Sequence, residues 1–346
     1  MRIHMRLLLP VITLCSFCSV AFWFFLSNNN VTPRPYTKIP QKGPDTSLTF
    51  KGCKDSALIA KALGSYSNEW NKQEANFKRF RSLLNSKCHA VSKAVVTQNN
   101  TPVGSSILYD GEKRKPLQEQ PFGNATWESC AVVGNGGIVA NSSCGEQINS
   151  AQYVIRCNLP PLGNQYEQDV GNKTNLVTAN PSILHEKYSG LMERRRPFAE
   201  SLHPYGQALL LLPAFSYGQN TPVSLRAFYT LEDFGNDGPL PVFLNPEYLR
   251  RLKKFWRERG LNSVRLSTGL IMASLAIEIC ANVHLYGFWP FNKHPHDYRS
   301  ITNHYYDDRE SKKNVHSMPT EFEQLLKLHK QGVVRIHLGE CQSTHR

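Results

Sequence analysis

A chain of 346 residues has room for one large domain, or two small ones, with a substantial core. Its formal net charge of +13 points to an anionic partner such as a phosphate-bearing cofactor, an acidic substrate or a membrane surface, although a solvated basic surface gives the same count. Neither zinc-finger spacing nor an aromatic RNA-binding signature is present, which argues against nucleic acid.

Arg2 and Arg6 precede an uncharged run of 20 residues, Leu7 to Leu26, with Phe22, Trp23, Phe24 and Phe25 at its far end. At a rise of ~1.5 Å per residue the run spans a ~30 Å hydrocarbon core, and the aromatics fall where an interfacial belt lies. A cleavable signal peptide is the alternative, but its apolar core is shorter, ~7–15 residues, and ends in small residues rather than FWFFL. The expectation is an uncleaved signal anchor over 7–26, a cytoplasmic tail over 1–6 and a lumenal remainder. Residues 27–55, rich in Asn, Pro, Thr and Lys, read as a stem. Five N-x-S/T sequons, at Asn30, Asn99, Asn124, Asn141 and Asn172, fit a secretory lumen. Of nine cysteines, Cys15 and Cys18 lie in the apolar run, which leaves seven, an odd number, for the lumenal part.

From about 55 to 95, apolar residues at three-to-four spacing predict helix: Leu58, Ala62 and Leu63, then Phe77, Phe80, Leu83 and Leu84. Residues 98–125 read as loop. Beyond Cys130, short apolar runs alternate with helical stretches. CAVVG, YVIRC, NLVTA, ALLLLPA, VFLN, VHLYG and VVRIHL are the predicted strands, and ASLAIEICA and EYLRRLKKFWRE the clearest helices. That alternation predicts an α/β domain around a mainly parallel sheet.

The stretch SCAVVGNGGIVANSSCG, residues 129–145, sets a buried-strand pattern before Gly134-Asn135-Gly136-Gly137 and a predicted helix. Glycines there let a backbone approach a ligand, and a following helix offers N–H groups to a phosphate. A dinucleotide fingerprint fails: Val139 stands where its third glycine belongs, and the next strand ends in Arg156-Cys157-Asn158 rather than an acidic residue.

Four segments, in order, resemble the motifs of the animal sialyltransferases. CAVVGNGGIVANSSCGEQINSAQYVIRCNLPP through DVGNKTNLVTANPSIL is similar to the long motif, and LSTGLIMASLAIEICANVHLYGFWPF to the short motif. HYYDD at 304–308 is similar to the third, and HSMPTE, with His316 and Glu321, to the very short His-x4-Glu motif. The similarity covers roughly residues 75 to 341. NPSIL, RCNLPP and GFWPF resemble the alpha-2,8 subgroup, and QNNTPVG at 98–104 resembles a branch of it that acts on sialylated O-glycans. Asp308 departs from the subgroup, which usually carries Asn there.

The resemblance implies a single Rossmann-like domain, a variant of the GT-A arrangement, making 56–346 the catalytic domain of a single-pass type II Golgi membrane protein. It implies transfer of sialic acid from CMP-sialic acid to a sialylated glycan, with inversion. His316 matches the base, and His304 the histidine that meets the donor phosphate. A reference pKa of ~6.5 keeps much of a histidine neutral in a mildly acidic lumen, which suits the base, and the second histidine can hydrogen-bond the leaving group. Asn135, Asn158, Ser267, Thr268, Gly269, Trp289, Asn303 and His304 match donor-binding positions, although a turn asparagine at 158 and core packing for Trp289 are open alternatives. The family's pairing carries over as Cys130–Cys280 and Cys144–Cys341. With Cys157 left unpaired, arithmetic leaves Cys53 and Cys88 as a third pair. No metal is expected, because CMP-sialic acid carries one phosphate ester, Asp307-Asp308 is no Asp-x-Asp pair, and HPHD at 294–297 reads as a polar loop. Alternatives are a ganglioside acceptor, a catalytically silent glycan-binding relative and a nucleotide-dependent oxidoreductase.

Overall fold

The computed structural model describes residues 56–66, 69–100, 119–123, 126–216, 220–234, 238–308 and 318–341. All belong to one compact unit, Gln41–Arg346. The expected anchor, the stem, Cys53, the sequons at Asn30 and Asn124, and His316 lie outside the described residues. Among the described residues no helix is long and apolar enough to cross a membrane.

Seven strands form one sheet: β1 Trp127–Val133, β2 Tyr153–Arg156, β3 Leu176–Thr178, β4 Leu209–Leu212, β5 Leu240–Phe243, β6 Cys280–Tyr286 and β7 Arg335–His337. Each coincides with one of the seven apolar runs. Their order is β5-β4-β3-β2-β1-β6-β7, and every pairing is parallel. A parallel sheet is covered on both faces, so its strands read as continuous apolar runs, which is why sequence finds them. Side chains alternate between the two covers. Cys130, Val132 and Ile155 enter one core with the helices at 56–65, 74–88, 246–257, 268–279 and 318–330. Ala131, Val133 and Val154 enter a second core beside the 145–150 helix, and Val177, Leu210 and Leu212 a third.

The expected helix over 55–95 is three helices, Ser56–Ser65, Glu74–Cys88 and Ala90–Lys93. His89 divides the last two by adopting φ 58°, a left-handed turn that ends the 74–88 helix. The Thr268–Ile279 helix is buried along its whole length from Leu270, and Ser267 caps it by accepting the Leu270 N–H at 3.1 Å. Asn245 caps the Pro246–Arg257 helix in the same way through the Glu247 N–H.

Two disulfides, Cys130–Cys280 and Cys144–Cys341, join positions 150 and 197 residues apart. Cys157 carries a free buried thiol. So does Cys88, against the arithmetic that paired it with Cys53; burial beside Glu278 pushes its thiol up to about 12.

Candidate active site

Strand order reverses between β1 and β6, which are neighbours in space while β2 to β5 run away on one side. Open parallel sheets bind ligands at such a switch point, in the crevice outside the carboxyl ends of the strands. Here the loops are Gly134–Gly137 and Gly287–Trp289. They remain bonded beyond the strands, Gly134 N–H to Tyr286 O at 2.8 Å and Gly136 N–H to Gly287 O at 3.1 Å.

These glycines do a different job from the one expected. A Cβ on Gly136 would lie 2.6 Å from Gly287 O, and one on Gly137 would lie 2.1 Å from Thr302 O. Backbone packed on backbone leaves no space for a side chain. No α-helix follows the turn directly: Gly137–Val139 forms one 3₁₀ turn, and the next helix is Gly145–Ser150. The helix offering N–H groups to a phosphate at this point is therefore absent. The glycines instead seat the 302–305 segment against the loop, with Gly137 N–H donating to Asn303 O and Tyr305 N–H to Asn135 O.

That seating brings His304 to the glycine loop, where it pairs with Gly136 as an isolated antiparallel bridge. Its Nδ1 lies 2.7 Å from Asp307 Oδ1, and its ring stacks on Tyr306 at 5.2 Å between centroids. Asn303 stands beside it, Nδ2 3.5 Å from His304 Nε2, and is exposed. Asn135 donates through Nδ2 to Cys157 O at 2.8 Å and to the Tyr306 hydroxyl at 3.3 Å, while its Oδ1 is buried with no partner. An unpartnered buried carbonyl is costly, so this atom calls for a donor from a ligand.

Asn158 continues the constellation. It sits at φ 62°, its N–H donates to Thr178 Oγ1, and its Oδ1 accepts the Asn180 N–H at 2.9 Å. Asn180 Oδ1 in turn accepts the Thr268 hydroxyl at 3.1 Å. Next to Thr268, the Ser267 N–H donates to both carboxylate oxygens of buried Glu321, at 2.9 and 3.3 Å. A Cβ on Gly269 would press on the Phe288 ring at 2.9 Å. Residues of the long, short and third motifs, with Glu321 of the very short one behind Ser267, are thus joined in one connected set, while His316 lies outside the described residues.

The family model described as glycosyltransferase family 29 (sialyltransferase) matches residues 69–333. The chain belongs to this family. It is 45% identical over 285 residues to mouse (Mus musculus) alpha-2,8-sialyltransferase 8F, covering 79% of this chain and 71% of that protein. It is 44% identical over 284 residues to the alpha-N-acetylneuraminide alpha-2,8-sialyltransferase of Xenopus tropicalis, covering 79% and 81%. A solved mammalian sialyltransferase, in complex with Gal-beta-1-3GalNAc-ortho-nitrophenol, is 19% identical with a TM-score of 0.47, covering 82% of this chain and 85% of that one.

In this sialyltransferase Trp289 does not present a free ring at the crevice. Its indole is 5% exposed, lies edge-on to Phe291 and Phe322, and donates its N–H to Lys293 O at 2.7 Å. The core-packing alternative describes its side chain. Asp308 Oδ1 accepts the Asn303 N–H at 3.0 Å, a bond that asparagine makes equally well, so this departure from the subgroup keeps the local fold. In the HPHD loop, Asp297 braces His294 and Arg299 at 2.9 and 3.5 Å. The described sequons at Asn99, Asn141 and Asn172 are exposed. Sequence named Asp307 only in a rejected metal pair and gave Tyr306 and Asn180 no role. An Asn before Pro181 signals a helix start, but its bond to Thr268, 88 residues on, leaves no local trace.

Proposed function

We propose that this chain transfers sialic acid from CMP-sialic acid, in alpha-2,8 linkage and with inversion, to glycans that already end in sialic acid. The acceptors are O-glycans of glycoproteins, and one or a few residues are added. The observation that carries this proposal is the connected set formed by the long, short and third motifs with Glu321 of the very short one, and the Asn135 carbonyl buried and unpartnered within it. Similarity to the alpha-2,8 relatives supports the linkage. The O-glycan preference rests on the 98–104 segment, since overall identity to the 8F protein and to the Xenopus enzyme differs by only a point, 45% against 44%.

The acceptor hydroxyl attacks the anomeric carbon of sialic acid as the bond to the CMP phosphate oxygen breaks. His316 takes the hydroxyl proton. His304 meets the leaving phosphate through Nε2, since its Nδ1 is committed to Asp307. Asn135, Asn158, Asn303 and the Ser267–Gly269 turn hold the donor. One phosphate ester needs less countercharge than a diphosphate, so the reaction proceeds without a metal ion. The protein works in the Golgi lumen behind its amino-terminal anchor.

The test is transfer from CMP-sialic acid to a panel of sialylated O-glycans, N-glycans and gangliosides, with and without EDTA. Metal-independent alpha-2,8 product, greatest on O-glycans, is expected. A ganglioside preference would replace the acceptor assignment, and no transfer to any member would leave the silent glycan-binding alternative.

A further inference from the structure

Asn180 occupies the N-cap position of the Pro181–Tyr188 helix, where an asparagine side chain ordinarily accepts an N–H of its own first turn. It makes no such bond. Its Oδ1 instead accepts the Thr268 hydroxyl at 3.1 Å, and its backbone N–H donates to Asn158 Oδ1 at 2.9 Å. One residue therefore ties the turn after β2 to the start of the 268–279 helix, segments that no local sequence connects. Both ends are fixed beyond it. Asn158 holds a left-handed conformation, which asparagine tolerates better than other side chains, and is pinned through Thr178. Ser267, beside Thr268, is held by the Glu321 carboxylate.

We infer that Asn180 is a positioning residue for the donor, a bridge that sets which hydrogen-bonding groups the crevice presents. The inference rests on the proposal that Asn158 and Ser267–Gly269 hold CMP-sialic acid. With one lone pair of its Oδ1 taken by the Asn180 N–H, Asn158 has its NH₂ to present, and donates to a ligand acceptor such as a phosphate, ribose or cytosine oxygen. With its hydroxyl proton committed to Asn180, Thr268 has only lone pairs left, so it accepts. Asn135 has its NH₂ occupied and its Oδ1 vacant, so it accepts too. The crevice then offers two acceptors and one donor in fixed places, a pattern that suits a cytidine, whose amino and hydroxyl groups donate and whose carbonyl accepts. Asn180→Ala keeps the backbone bond to Asn158 and frees Thr268 alone, whose hydroxyl can then donate as well as accept, so the pattern blurs at that point. Asn180 itself touches no reacting atom.

The experiment is a double-mutant cycle of Asn180→Ala and Thr268→Val in the full-length protein, with KM for CMP-sialic acid, KM for the acceptor and CMP affinity by calorimetry. Asn180→Ala should raise donor KM and weaken CMP about fivefold, the ratio that loss of one neutral hydrogen bond produces, with acceptor KM unchanged. The double variant should be no worse than Thr268→Val, because both remove the same bond. Unchanged donor KM in Asn180→Ala, effects that multiply, or equal rises in both KM values would overturn the inference; a merely structural role gives the last. If Asn180→Ala does not fold, Asn180→Gln, which displaces the carbonyl without removing it, must show the same donor-only effect. Should the unmodified protein fail to bind CMP, the donor assignment falls and this inference with it. Should it bind CMP and Asn180→Ala bind equally well, the inference alone falls.

Discussion

His304 and Asp307 show how little of a residue's task lies in its own identity. The two side chains are about one-third exposed, 32% and 29%, so their attraction is screened and contributes little to stability. Their value is orientation: the carboxylate fixes which ring nitrogen faces the crevice. Asp307→Asn keeps the shape and removes the charge, so kcat should fall about tenfold while the melting temperature hardly moves, since a charge-assisted bond is roughly twice as strong as a neutral one. Parent-like kcat would detach Asp307 from the chemistry. Glu278 is the opposite case, a buried carboxyl far from the proposed chemistry. It accepts the Ala90 N–H at 2.8 Å and meets the Tyr248 hydroxyl at 3.4 Å, and burial raises it from 4.5 to about 7. A carboxyl that holds its proton more tightly folded than unfolded favours folding while protonated. Its contribution is therefore full below about 4.5, lost as pH climbs to about 7, and flat above. The difference amounts to roughly 3 kcal/mol at most. Glu278→Gln keeps an acceptor for Ala90 and loses the slope, so it should melt higher than the parent at pH 8 and close to it at pH 4.5. Equal melting curves at pH 8 would show that Glu278 does not titrate in this range.

At the scale of elements, the sequence was most informative where structure is set locally. All seven strands were visible, because a strand buried on both faces is apolar at every position, and β1 shows this from Cys130 to Val133. The helices that hold EYLRRLKKFWRE and ASLAIEICA were visible as well. What escaped was set by distant partners. Gly136 and Gly137 read as a ligand turn, yet the atoms that forbid a side chain there are Gly287 O and Thr302 O. Trp289 read as a ring for the donor, yet Phe291 and Phe322 enclose it. Gly137→Ala separates the two meanings of the loop. Its new methyl group would have to displace the Thr302 carbonyl, so destabilisation of about 1–3 kcal/mol is expected. The 302–305 segment would shift with it, so kcat should fall as well. Full stability and full activity would mean that this packing is not required.

For the whole molecule, the surface charge bears on product length. The Pro246–Arg257 helix buries Tyr248, Leu252, Phe255 and Trp256, with Leu249 packed against the same core, and exposes Arg250, Lys254 and Arg257. Glu247 takes up Lys93 and Arg251, at 3.2 and 2.6 Å. The basic residues are thus the solvated side of an ordinary amphipathic helix, interrupted by acid. On a sialylated O-glycan the products should carry one or a few added residues, and Arg250→Glu with Lys254→Glu should leave their size distribution unchanged. A ladder extending to tens of residues, shortened by those substitutions, would assign this helix to a growing polymer.

The place of β1 at the switch point also sets a timetable. Translation delivers β1 early, but its neighbour β6 and the partner of Cys130 come 150 residues later, and the partner of Cys144 comes 197 residues later. At ribosomal speeds that is a wait of roughly 10–30 s, during which the middle of the sheet has one side open. In an oxidising compartment, Cys130, Cys144 and Cys157 spend that interval as one another's nearest thiols. Pulse-labelled chains on non-reducing gels should therefore pass through a species cross-linked within 130–157, which resolves by thiol exchange once Cys280 emerges. Nascent chains that never show it would mean that the early thiols are kept apart until the sheet can close.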